Sequence, residues 1–146
     1  MSITSKITGY CLITGASHGI GKAIAHEWAS KGVSIIAVGI DKKALLDLKT
    51  ELESNYSITC HCLFKDLLNT KTPKEIFDWC TSNKIDVQVL VNNVGLGSVG
   101  SFEDTSMEFD INLVQLNIFP MLQLTKLFLP KLKSFKKSYI LNMSSL

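Results

Sequence analysis

The chain has 146 residues, 46% of them hydrophobic and 19% charged, with mean hydropathy +0.22, which excludes a disordered tail and gives enough apolar surface for one folded domain. A formal charge of only +2 gives no reason to expect a nucleic-acid partner. The one dense basic run, KLKSFKK with Lys131, Lys133, Lys136 and Lys137, falls between a helix pattern and a strand pattern and reads as a solvated loop.

In chain order, the opening MSITSKITGYCLITG lacks the continuous apolar core of a signal peptide. The charge-free stretch between Asp110 and Lys126 is too short and too interrupted by amides and Pro120 to span a bilayer. A cytoplasmic protein without a membrane partner is expected. Short apolar runs then alternate with helical patterns. GYCLIT precedes IGKAIAHEWASKG, VSIIAVG precedes KKALLDLKTELESN, and SITCHCLF precedes TPKEIFDWCTSN. VQVLVNN precedes a long helix between Thr105 and Leu129, and YILNMSS closes the series. Continuous rather than alternating apolar strands require a parallel sheet covered on both faces. The expectation is one α/β domain over residues 1–146.

Ile20, Ile24 and Trp28 share one face of the first helix, which should end on a left-handed Gly32; Leu45, Leu48 and Leu52 share a face of the second. The long helix is apolar over more than one face, through Ile111, Val114, Ile118, Leu122 and Phe128 with Leu113, Leu116, Phe119 and Leu127, so it calls for partners on both sides. Pro120 should loosen it near Leu116, whose carbonyl loses its donor. Cysteines at 11, 60, 62 and 80 have no framework spacing and read as reduced thiols. Cys60 and Cys62 should face one side of a strand and His61 the other, so the three cannot close a metal site.

Between the first strand and first helix lies TGASHGIG, Thr14 to Gly21, with glycines at 15, 19 and 21. Glycine allows a tight turn and close backbone approach, and the helix start offers free N–H groups to a pyrophosphate. An ordinary tight turn would use the same residues. With Asp66 after the third strand, LVNNVG after the fourth and ILNMSS at the fifth, the whole chain resembles the classical short-chain dehydrogenase/reductase family.

That resemblance implies a Rossmann-like doubly wound parallel sheet with five strands in the order 3-2-1-4-5. It implies an NAD(P)-dependent enzyme that moves a hydride between a nicotinamide cofactor and a carbonyl or alcohol substrate, with a homo-oligomer for the full-length protein. Gly15, Ser17, His18, Gly19, Ile20 and Gly21 would cradle the cofactor. Asp66 and Leu67 would meet the adenine, and Asn92, Asn93 and Gly95 would line the nucleotide floor, with Val94 where alanine is usual. Ser145 would hold the substrate oxygen, and Asn117 would support a proton-relay water.

The second strand ends GIDKK, with Gly39 at the usual acidic position and Ile40 at the usual arginine position. Asp41 could serve the ribose of NAD or simply cap the next helix. Lys42 and Lys43 with His18 could hold the extra phosphate of NADP, or the lysines could be solvated first-turn residues; NADP is preferred over NAD. The family's Tyr-x-x-x-Lys pair does not occur before Leu146, so the expectation is a truncated, inactive N-terminal portion, with a non-catalytic nucleotide-binding or vestigial fragment as the alternative.

Overall fold

The computed structural model describes residues 7–144. Five parallel strands lie in the order β3-β2-β1-β4-β5, as the resemblance implies: β1 (Tyr10–Thr14), β2 (Ile35–Gly39), β3 (Cys60–Phe64), β4 (Val87–Asn92) and β5 (Tyr139–Asn142). Helices α1 (Gly19–Ser30), α2 (Lys42–Asn55), α3 (Thr72–Ser82) and α4 (Met107–Ser134) make the crossovers. A one-turn 3-10 helix, Phe102–Asp104, precedes α4.

Strand alternation sends side chains to two cores. Cys11, Ile13, Ile35, Ala37, Val89 and Val91 pack under α1 and α2, while Leu12, Ile36, Val38 and Leu90 pack under α3 and α4. Both faces are dry, which is why these strands read as unbroken apolar runs. Leu45, Leu48 and Leu52 of α2 are buried as their spacing predicts. Cys60 and Cys62 join the α1/α2 core, and His61 faces the other way between Tyr10 and Trp79. No group of three or more metal-ligating side chains exists among the described residues.

Three expectations change. Helix α1 turns Gly21, Ala25 and Ala29 to the sheet, not the stripe that begins at Ile20. Ile24 and Trp28 pack at its edge, and Ile20 is 60% exposed. Close approach decides this, because a Cβ on Gly21 would collide with the Gly15 carbonyl, so the small stripe must face inward. The fifth strand reads as buried, yet all four residues of β5 are exposed. Helix α4 runs unbroken through Pro120, which is buried, and Pro130. Its Leu124, Phe128 and Leu132 enter the core, while Ile111, Val114, Ile118 and Leu122 stay exposed. None of the described helices is long and apolar enough to cross a membrane.

Gln88, on β4 and 4% exposed, fastens the lower end of the sheet. Its Oε1 accepts from the backbone N–H groups of Thr8 and Gly9, each at 2.9 Å, and its Nε2 donates to the Lys137 carbonyl at 2.7 Å. One side chain thereby holds both the entry to β1 and the entry to β5. Gly9 leaves the room required, since a Cβ there would stand 2.8 Å from that of Gln88. Gln88→Leu keeps the volume but strands these backbone groups. The expected cost is about 2–3 kcal/mol of unfolding free energy in urea titration, and a loss under about 0.5 kcal/mol would show that the bonds contribute nothing net.

Candidate functional site

The carboxyl ends of β4 and β5 open on a cleft of about 740 Å³, walled by Ile20, Asn93, Gly95, Asn117, Asn142 and Ser144 among others. It adjoins the ends of β1 and β4, between which the strand order reverses, the position at which open parallel sheets hold ligands.

Thr14 ends β1, and its hydroxyl accepts from the N–H groups of Asn93 and Val94 at 2.9 and 3.0 Å while donating to the Val91 carbonyl at 3.3 Å. The Asn93 amide donates to the carbonyls of Thr14 and Gly15 at 3.0 and 3.1 Å. The glycine loop is therefore held from behind by β4. Gly15 and Gly19 adopt positive φ, +66° and +54°, where a side chain would be strained. A Cβ on Gly19 would meet nothing within 4 Å, so this face of the loop is open. No side chain caps the start of α1, and the first-turn N–H groups lie next to that opening. Backbone donors, positive dipole and empty space together fit a pyrophosphate.

Asn117 faces the loop after β4. Its Oδ1 accepts from the Leu96 N–H at 2.8 Å and its Nδ2 donates to the Leu96 carbonyl at 2.9 Å, so the amide is committed to pinning that loop. Gly95 lies beneath it, where a Cβ would stand 3.2 Å from the Asn117 oxygen.

The remaining candidates divide. Asn92 is 6% exposed and lies behind the cleft wall, donating to Asn142 Oδ1 at 2.8 Å and Thr125 Oγ1 at 3.2 Å; it locks β4 to β5 and α4. Its own Oδ1 is buried without a partner. Asp66 is exposed after β3 with Oδ1 accepting from the Leu68 N–H, whereas Leu67 is in the core and can offer a ligand only its backbone. Ser145 lies outside the described residues; its neighbour Ser144 lines the cleft.

At the end of β2, Asp41 caps α2 by accepting from the Ala44 N–H at 2.9 Å, and its other oxygen lies 3.5 Å from His18 Nε2. Lys43 turns away to Asp47 at 2.7 Å. Lys42 stands over the Phe64 ring at 5.6 Å, at the carboxyl end of β3. Gly39 gives Ser17 its place, because a Cβ there would collide with the Ser17 hydroxyl. Ser17 and His18 of the glycine loop therefore lie beside the end of β2, next to Gly39 and Asp41.

Sequence reasoning left Thr14 and Gln88 out. The signal for Thr14 was its place at a strand end beside the glycine loop, where a hydroxyl can serve two strands. Gln88 stood out only as an amide inside an apolar run.

Comparison with known proteins gives a consistent picture. The short chain dehydrogenase pattern matches residues 10–146. The chain is 28% identical to very-long-chain 3-oxoacyl-CoA reductase-A of Danio rerio, over 98% of this chain and 46% of that protein. It is 31% identical to the NADP-dependent 3-hydroxy acid dehydrogenase of Schizosaccharomyces pombe, over 92% of this chain and 53% of that one. Among solved structures, the short-chain dehydrogenase of Sphingobium yanoikuyae in complex with NADPH superposes with a TM-score of 0.86 at 26% identity, covering 94% of this chain and 54% of its own. A metagenomic short-chain oxidoreductase in complex with NADP gives 0.87 at 26% identity, covering 94% and 62%. The chain spans about half the length of the curated relatives it matches. With strand order, glycine loop and matched sequence in agreement, this chain belongs to the short-chain dehydrogenase/reductase family.

Proposed function

We propose that the chain carries the dinucleotide-binding part of an NADP(H)-dependent oxidoreductase that exchanges a hydride with a carbonyl or alcohol substrate. The observation that carries this reading is the open glycine face at the start of α1, held rigid from behind by Thr14 and Asn93. Gly15, Gly19, Ile20 and Gly21 supply the pyrophosphate cradle, and Gly95 with Asn93 forms part of the floor. Asp66 and the Leu67 backbone flank the adenine. When bound, the nicotinamide cofactor supplies or accepts the hydride. Asn117 keeps the floor loop in one conformation through Leu96, and Ser145 holds the substrate oxygen. The names of the curated relatives support a 3-oxoacyl thioester as the first substrate class to test.

NADP is the preferred cofactor. Asp41 has one oxygen engaged as a helix cap, while Ser17, His18 and Lys42 can donate to a 2′-phosphate. A charge-assisted bond to phosphate contributes about 1.5–3 kcal/mol. Lys42→Glu should therefore weaken NADPH binding by roughly tenfold or more and leave NADH within about twofold. Equal losses for both cofactors in titration calorimetry would remove Lys42 from the ribose site.

The cradle itself is tested by Gly19→Val beside Gly32→Val. Both glycines have positive φ and open space at the Cβ position, so both substitutions carry the same backbone strain. Gly32 lies at the far end of α1. Loss of NADPH binding in folded Gly19→Val, with Gly32→Val unaffected, is expected by fluorescence titration. Unchanged affinity in a folded Gly19→Val protein would refute the loop assignment.

A further inference from the structure

Two amides, two residues apart on α4, reach two different loops. Asn117 holds Leu96, in the segment after β4, through paired bonds to its N–H and carbonyl. Gln115 Nε2 donates to the Leu68 carbonyl, in the segment after β3, at 2.6 Å. At about 100° per residue the two side chains leave the helix about 200° apart, so they project from opposite flanks. Strands β3 and β4 are separated by β2 and β1, three spacings that together make roughly 14 Å. A helix with its side chains is about 10–12 Å across, so a single turn of α4 standing between the two loops can bond to both.

The segment after β3 has its shape fixed from within. Asp66 Oδ1 accepts from the Leu68 N–H at 2.9 Å, and Asn69 Oδ1 accepts from the Lys71 N–H at 3.0 Å. The Thr72 hydroxyl donates to the Asp66 carbonyl at 2.7 Å. These bonds close the turn on itself and on the start of α3, but they do not set where it stands against the sheet. Outward contacts do that. Leu67 enters the core, the Lys65 N–H donates to the Gly39 carbonyl at the end of β2 at 3.0 Å, and Gln115 holds Leu68.

In the dinucleotide reading, on which this inference rests, Asp66 and the Leu67 backbone flank the adenine. We propose that Gln115 is a positioning residue for the adenine half of the cofactor. By holding the Leu68 carbonyl it keeps the turn, and with it the Leu67 backbone, in one place relative to α4, as Asn117 does for the floor loop. It acts through Leu68 and not by contact with the base. One turn of α4 thereby sets the two cofactor loops relative to each other.

Gln115→Met keeps the length and volume of the side chain and removes the donor. In titration calorimetry of the folded chain it is expected to weaken 2′,5′-ADP, the adenine half of NADPH, and NADPH itself by the same factor, about three- to tenfold. In the ligand-free protein the amide resonances of Leu68 and Asn69 should shift while those of Leu96 and Gly97 stay. Gln88→Leu, which loosens the opposite end of the sheet, controls for lost stability and should leave 2′,5′-ADP binding within about twofold. Unchanged 2′,5′-ADP affinity in folded Gln115→Met, a loss confined to NADPH, or an equal loss in Gln88→Leu would each overturn the role, as would unmoved Leu68 and Asn69 resonances. If the parent chain binds neither NADPH nor 2′,5′-ADP, the dinucleotide reading itself fails and the role of Gln115 falls with it.

Discussion

A hydroxyl at the end of β1 holds the cleft together. Parallel strands end with unpaired backbone groups, and two neighbouring ends splay unless something joins them. Thr14 joins them by accepting two N–H groups from the segment after β4 and returning one bond to Val91. Asn93 completes the tie by donating to the first two carbonyls of the glycine loop. The loop's own residues are then free to present backbone outward, because their positions are already fixed from within. A buried network with donors and acceptors matched is stiff, and stiffness here means that a phosphate would meet donors that need no rearrangement.

The same constraint selects which face of α1 is buried. Ile20, Ile24 and Trp28 recur every four residues, and so do Gly21, Ala25 and Ala29. Periodicity shows that each set shares a face but does not say which face wins, and size alone favours the larger set. The glycine loop reverses that choice by requiring the helix to start hard against the Gly15 carbonyl. Only the small set permits the approach, so Ile20 is left on the cleft rim. The burial of the small stripe of α1 is therefore a consequence of the glycine loop that precedes it.

Elsewhere legibility follows the same division. The strands were readable because a sheet covered on both faces needs unbroken apolar runs, their order came from the family resemblance alone, and α2 was readable because only one of its faces is apolar. Asn92 and Asn93 could not be told apart by sequence, since adjacent amides at a strand end look alike. Alternation sends one inward to Thr125 and Asn142 and the other back to the glycine loop. Leu67 was assigned to a ligand by resemblance, yet an apolar side chain just past β3 gains about 1.5–3 kcal/mol by entering the core, and it does so. For α4, apolar on several sides, the pattern could not say that Leu124, Phe128 and Leu132 are the buried set.

The proposed preference for NADP rests on whether Asp41 is available. A carboxylate that reads a ribose must accept from its hydroxyls, and Asp41 already accepts from Ala44 as the cap of α2. Giving up that bond costs about 1 kcal/mol of helix stability, which sets a penalty against NAD before any contact forms. The second oxygen faces His18 at 3.5 Å. In the reading proposed above, a 2′-phosphate would ask nothing of Asp41 and would find donors in Ser17 and Lys42 instead. The missing side chain at Gly39 belongs to the same logic: in removing the usual ribose acceptor it also makes the space that Ser17 fills.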